Sequence, residues 1–226
     1  VQIDRNELDE KKFSCLLIEG ASNLSINLTT EQISLFYKHF RELLIWNKKI
    51  NLVKRKNGRE IIIKDFLDSL ICHKRIWEGA SLLDLGSGAG FPGVPLKIIK
   101  PSLQVILYEA SLKKVHFLQN LIRILGIKNI QVQWVGKEKE RDKNLLKKFD
   151  FVISRAFGSL LKFCQYGLPL VKKGGILIAM KGKKGEEELK STLPELNNLG
   201  IDVSFVDQFQ LPFLGHKRII IGLYCR

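Results

Sequence analysis

From about residue 80 onward the chain alternates short β-rich runs with helical stretches, and this alternation limits its fold more than any other feature. The runs fall at 81–85, 103–109, 129–135, 149–154, 176–180, 201–206 and 218–224, with helical patterns at 92–100, 112–125, 160–171 and 186–199. Strands interleaved with helices of about 10–15 residues predict a mostly parallel sheet covered on both faces. The last two runs are separated only by the loop 207–217, which holds Pro212 and Gly215. That connection is too short for a crossover helix, so the final pair is expected to be antiparallel.

Before residue 80 the periodicity is helical. Thr29-Thr30-Glu31-Gln32 offers a capping box, with Thr29 as N-cap and Gln32 three residues on. Ile33, Phe36, Tyr37, Phe40, Leu43, Leu44 and Ile50 then form one apolar stripe. A second helix is expected over 60–77 and a weaker third over 6–18. The expected organisation is a helical extension, 1–79, packed on a core, 80–226, as one compact unit.

Composition narrows the partners. The chain has 226 residues, 37 Lys+Arg against 23 Asp+Glu, and a formal net charge of +14. Its 45% hydrophobic and 27% charged residues exclude a disordered or collagenous chain. No apolar run approaches the roughly 18 residues of a membrane span, and the polar start VQIDRNELDEKKF does not read as a signal peptide. Cys15, Cys72, Cys164 and Cys225 show no paired spacing, which argues against a disulfide framework or a metal site and for a reducing cytoplasmic setting. The basic excess points to an anionic partner.

The most informative stretch is Leu82-Leu83-Asp84-Leu85-Gly86-Ser87-Gly88-Ala89-Gly90-Phe91-Pro92-Gly93. A strand ends at Leu85, a G-x-G-x-G turn follows, and Pro92 stands where a helix should begin. Such glycines let backbone amides approach a ligand beyond the carboxyl end of a strand. Gly88-x-Gly90-x-x-Gly93 also fits a dinucleotide spacing, but Gly88 follows the strand two residues late. Asp84 beside the turn would repel a pyrophosphate, yet it suits the ammonium of S-adenosylmethionine. Glu109, at the end of the next strand, is placed to accept hydrogen bonds from both ribose hydroxyls. The methyl donor is the better fit, and with the strand order it predicts a class I S-adenosylmethionine-dependent methyltransferase, a Rossmann-like α/β fold of seven strands.

The segment after the fourth strand limits the methyl acceptor. Enzymes acting on exocyclic amines carry a D/N-P-P-Y/F turn there, whereas this chain has Ser154-Arg155-Ala156-Phe157. Cys164 follows Phe163 in a helical stretch, unlike the nucleophile of cytosine C5 methylation. His39, His73, His116 and His216 form no set with a serine and an aspartate, and at least three are expected to be structural or surface residues. A missing general base suits guanine N7, whose lone pair needs no deprotonation. Proximity and in-line orientation would then carry much of the catalysis. Arg155 is the candidate to position the guanine or a phosphate.

Together these residues resemble the glucose-inhibited division protein B family, the 7-methylguanosine methyltransferases of small-subunit ribosomal RNA. The resemblance rests on LLDLGSGAGFPGVPLKIIKP, on Trp46-Asn47-Lys48 with Asn51-Leu52, and on Leu67-Asp68-Ser69. It continues through Lys113-Lys114 with Phe117-Leu118, through Phe149 to Phe157, and through Ala179-Met180-Lys181-Gly182, covering the chain from about residue 30. It implies S-adenosylmethionine bound at Gly86 and Phe91 and, after the third strand, at Lys137 and Glu138. It also implies Arg155 at the active site and guanine N7 methylation in the decoding region. Two positions depart from the family pattern: Lys64-Asp65 replaces Arg-His, and Gly136-Lys137-Glu138 replaces Arg-Ala-Glu.

Lys54-Arg55-Lys56 with Arg59, Lys113-Lys114, Lys172-Lys173, the run 181–184 and Lys217-Arg218 supply the positive excess. Lys113, Lys114, Lys181, Lys183, Lys184 and Arg218 are the candidate RNA contacts, which would position RNA without reading its sequence. The alternating charges of 137–143 read as an exposed helix. The expected partner is small-subunit ribosomal RNA or a pre-assembled particle, bound by a cytoplasmic monomer without membrane or metal. Rival readings are a methyltransferase with another substrate, a non-catalytic RNA-binding assembly factor, and a nicotinamide oxidoreductase.

Overall fold

The structure, a computed structural model, describes residues 8–136 and 148–225. Its first helix, α1 (Glu10–Ser22), starts four residues later than expected because Asp9 caps it, accepting from Lys12 N at 2.8 Å. The capping box of α2 (Thr30–Asn47) is complete, and the Gln32 side chain also donates to the Ile98 carbonyl at 3.1 Å.

The helix expected over 60–77 is instead a composite. It begins as α3 (Gly58–Ile61), widens into a π-helical stretch (Ile62–Leu67) and closes as α4 (Asp68–Leu70). A short 3-10 turn, His73–Arg75, follows. Arg75 is drawn to the sheet, where it pairs with Asp207 at 2.6 Å and lies 4.1 Å from the Phe205 ring centroid. Tertiary contact thus overrides the helical pattern at its end.

Seven strands follow: β1 (Ser81–Leu85), β2 (Gln104–Glu109), β3 (Ile130–Trp134), β4 (Phe149–Arg155), β5 (Val171–Lys181), β6 (Ile201–Gln210) and β7 (Lys217–Cys225). Between them lie α5 (Gly93–Ile99), α6 (Leu112–Leu125), α7 (Leu160–Gly167) and α8 (Gly185–Asn198). The spatial order is β3-β2-β1-β4-β5-β7-β6, with β7 antiparallel to both neighbours and the first five strands parallel. The expected doubly wound sheet with its antiparallel last strand is therefore present. Its β5 and β6 run longer than their apolar runs, because the ladders to β4 and β7 extend them through polar residues.

Side chains alternate across the sheet with the strand period of two. Leu82, Leu107, Phe151, Ile153 and Ile220 face the N-terminal helices, where Phe13, Phe36, Phe40 and Phe66 join the same core. Leu83, Tyr108, Val152, Leu177 and Ile221 pack with α7 and α8 on the other face. Each large apolar side chain buried this way contributes roughly 1.5–3 kcal/mol. The alternation also sends Asp84 and Arg155 toward the N-terminal helices. Among the described residues, no helix is long and apolar enough to cross a membrane.

Candidate active site

The glycine turn is locked by its neighbours. Gly86 takes φ +81°, a conformation open to glycine, and its N–H and that of Ser87 both donate to the Tyr108 carbonyl, at 3.0 and 2.9 Å. Glu109 then bridges two elements, accepting from Gly88 N and from Ser111 N, each at 2.8 Å. A carboxylate has about four acceptor positions, so Glu109 retains capacity for hydroxyl donors. Asp84 lies beneath the turn, fully buried, with Oδ2 accepting from Gly93 N at 2.8 Å. Burial pushes its carboxyl up to about 7. Gly93 permits that approach, since a Cβ there would sit 2.5 Å from Leu107 Cδ2.

Phe91 forms the end of the turn and is held on two sides. His39 stacks on it, with centroids 5.0 Å apart at 16°, and His39 Nε2 lies 2.9 Å from the Ala89 carbonyl. Burial lowers the His39 pKa to about 4, so the imidazole is neutral and its Nε2–H donates to Ala89. On the other side the Arg155 guanidinium lies 5.2 Å from the Phe91 ring centroid.

Arg155 belongs to an alternating chain of charges. Asp65, with no exposed surface, pairs with Arg55 at 2.7 Å and with Arg155 at 2.8 Å. Asp68 pairs with Arg155 at 3.5 Å and with Arg218 at 2.8 Å. The Lys64 carbonyl, in the π-helical stretch, accepts from Arg155 Nη1 at 2.6 Å. Where the family has Arg-His, this chain therefore has Lys64 paired with Glu60 at 2.7 Å and Asp65 bridging two arginines. At the second departure, Gly136 lies against the Trp134 ring, 3.2 Å from the position a Cβ would take.

A cavity of about 530 Å³ opens between these parts. Gly86, Gly88 and Phe91 line one wall, and Arg155, Lys181 and Arg218 another. Leu52, Val53 and Arg55 complete it from the N-terminal side. That wall is fixed by Asn47, whose Oδ1 accepts from Leu52 N and Val53 N at 2.9 and 3.0 Å. Glu109 supports the turn from behind, bonded to Gly88 N. So does Asp84, which is wholly buried on Gly93 N and does not line the cavity, where an ammonium was expected to meet it. Gly90, within the turn, is also off the wall. Lys113 and Lys114 stand on the first turn of α6, off the cavity wall, while Lys183 and Lys184 are exposed just past Gly182. Lys137, Glu138 and the charged run 137–143 lie outside the described residues.

Sequence reasoning marked Asp65 only as a departure and His39 only as one of four histidines, without their partners. It missed Glu188, which lines the cavity and accepts from Lys181 Nζ at 2.9 Å. Asp65 and Asp68 stood three residues apart among Ile62, Ile63, Phe66 and Leu67, and acids on an apolar face demand cationic partners. His39 sat on the buried stripe of α2 with no local sign of its contact to Ala89. No cluster of metal-ligating side chains occurs among the described residues.

The turn and cavity, with the Glu109 carboxylate bonded to Gly88 N, fit S-adenosylmethionine rather than a pyrophosphate. With the strand order they define a class I S-adenosylmethionine-dependent methyltransferase. An Aquifex aeolicus SAM dependent methyltransferase superposes with a TM-score of 0.56 at 22% identity, covering 72% of this chain and 92% of that one. Aeropyrum pernix fibrillarin, solved with S-adenosyl-L-methionine, gives 0.51 at 17% identity, covering 64% and 66%. The family of rRNA small subunit methyltransferase G (GidB) matches residues 32–219. The chain is 38% identical over 206 residues to ribosomal RNA small subunit methyltransferase G of Geobacter metallireducens, covering 91% of this chain and 93% of that one. It is 41% identical over 218 residues to the protein of that name from Acetivibrio thermocellus, covering 95% and 90%. The chain belongs to the rRNA small subunit methyltransferase G family, as its motifs implied.

Proposed function

We propose that this chain transfers a methyl group from S-adenosylmethionine to N7 of a guanine in small-subunit (16S) ribosomal RNA. The observation that carries the choice of acceptor is the state of the cavity's acids. Asp68 is paired with Arg155 and Arg218, and Glu188 accepts from Lys181 Nζ at 2.9 Å and from Leu160 N at 2.6 Å. Neither is free to remove a proton, and no histidine lines the cavity among the described residues. Guanine N7 needs no proton removed, because its lone pair is already exposed in the plane of the ring.

When bound, the cofactor supplies an electrophilic methyl on a sulfonium. The chain's own residues bind and orient. Gly86 and Gly88 bring backbone close to the ligand, and Glu109 takes the ribose hydroxyls. Phe91 walls the cleft, and Asp84 holds the turn through Gly93. Gly90 supplies the turn's third glycine, while Lys137 and Glu138 are assigned to the cofactor by family resemblance. Arg155 fixes the floor on which the guanine stands. Catalysis then rests on proximity and in-line alignment, which supply up to roughly 7–11 kcal/mol.

The RNA would approach across Lys181, Lys183, Lys184 and Arg218, with Lys113 and Lys114, at the start of α6 and off the cavity wall, as further phosphate contacts. The proposed setting is the cytoplasm, supported by the ribosomal substrate of the family, with the chain acting as a monomer. Its residues 1–79 act with the core as one unit, supported by the core they share. The test is transfer of a radiolabelled methyl to unmethylated small-subunit RNA and, in parallel, to assembled particles, followed by nucleoside analysis. Label in 7-methylguanosine is expected; label in another nucleoside, or none in either substrate, overturns the reading.

A further inference from the structure

The charge chain through Arg155 has two ends, and they differ from its middle. Arg155 commits Nη1 to the Lys64 carbonyl and Asp68 and Nη2 to Asp65, and its guanidinium carbon lies 5.2 Å from the Phe91 ring centroid. Both of its η nitrogens are committed, and only its single Nε–H is unengaged among the described residues. Arg55 gives Nε and Nη2 to Asp65, and nothing among the described residues engages its Nη1. Arg218 gives Nε to Asp68 and Nη1 to the Lys217 carbonyl, and its Nη2 is likewise unengaged. Both end residues line the same cavity as Arg155 and keep 29% and 20% of their side-chain surface exposed.

Three guanidinium groups against two carboxylates leave a net positive charge, and the wholly free η nitrogens lie at the two ends. A guanidinium held along one edge by a buried carboxylate loses little freedom when the remaining donors meet an anion. We propose that Arg55 and Arg218 form a two-point clamp for the phosphodiester groups beside the acceptor nucleotide. Arg155 is the positioning residue that sets their spacing. The proposal rests on the RNA-methyltransferase reading and deepens it: guanine is held by its backbone on both sides, not by a base-reading arginine. The carboxylate of S-adenosylmethionine is the other anion that could meet these donors, so the two sources must be separated.

The test uses the full chain with Arg55→Gln, Arg218→Gln and the corresponding Lys substitutions. Binding of unmethylated small-subunit RNA is measured with S-adenosylhomocysteine present, across a series of KCl concentrations. Each Gln variant is expected to weaken RNA binding by about tenfold or more, as loss of a charged hydrogen bond does. Each should also reduce the slope of log K against log salt by about 0.7, the value for one phosphate on a single strand. Lys variants should restore the slope but not the full affinity, and S-adenosylhomocysteine binding, measured separately, should not change. If Arg55→Gln does not fold, Arg55→Lys and the Arg218 variants decide the matter.

Folded variants with an unchanged salt slope, beside a wild type that methylates the RNA, overturn the clamp alone. A loss of S-adenosylhomocysteine affinity in place of RNA affinity assigns the donors to the cofactor and also overturns it. A wild type that binds no RNA overturns the clamp and the proposed function together.

Discussion

Asp65 and Arg155, 90 residues apart in the chain, meet at 2.8 Å and join the N-terminal helices to the carboxyl end of β4. One partner is wholly buried and the other lines the cavity, so the pair couples the core to the site.

Removing Asp65 should therefore be costly. Asp65→Ala leaves Arg55 and Arg155 without their shared carboxylate, and breaking a buried pair from one side costs about 3–5 kcal/mol. Urea denaturation should show that loss, and methyl transfer should fall with it. A variant of wild-type stability would mean that solvent replaces the carboxylate.

His39 makes stability depend on pH. Its pKa falls from 6.5 unfolded to about 4 folded, so the folded state binds fewer protons between those values. This contribution is complete above pH 6.5 and is lost as pH falls toward 4, amounting to about 3 kcal/mol. His39→Phe keeps a ring against Phe91 and should remove this part of the acid sensitivity. Parallel urea titrations of both proteins between pH 4 and 8 measure the difference.

Asp84 acts in the opposite direction. Its pKa rises from 3.8 to about 7 on folding, so the folded state holds the proton longer. Stability from this group is complete below pH 3.8 and is lost as pH rises through 7. Asp84→Asn cannot ionise, and its stability relative to wild type should increase by about 4 kcal/mol between pH 4 and 8. A constant difference across that range would contradict the assignment.

Gly93 tests the contact between α5 and the sheet. In Gly93→Ala the new Cβ would lie 2.5 Å from Leu107 Cδ2 and 2.8 Å from Asp84 Oδ2. Overpacking of this kind costs about 1–3 kcal/mol, and titration with S-adenosylmethionine should show weaker binding. Gly182→Ala, where a Cβ meets nothing within 4 Å, should stay within about 0.5 kcal/mol of wild type.

The parts legible in the sequence were those with local causes. The strand, turn and helix start around Gly86 and the acid Glu109 follow from short-range patterns, as does the antiparallel ending of the sheet. The π-helical stretch over Ile62–Leu67 was not legible, because an α-helical and a widened ladder share one apolar pattern. The role of Arg155 was half legible. Its neighbourhood to the cavity followed from its place at the end of β4, but its partners came from Asp65 and Asp68, remote in sequence. Arg55 read as one member of a basic run, and only the fold separates it from Lys54 and Lys56.

The widened turn at Ile62–Leu67 sets a limit on length as well as on residue type. Deleting one residue there would favour a regular α ladder and swing the edge carrying Asp65 and Asp68 by about 100° relative to α3. The shortened helix would be the better helix in isolation, yet its carboxylates would face away from Arg155 and Arg218. Among relatives, a gap in this segment should therefore coincide with a rebuilt arginine site, whereas gaps in the surface loop between β6 and β7 need not.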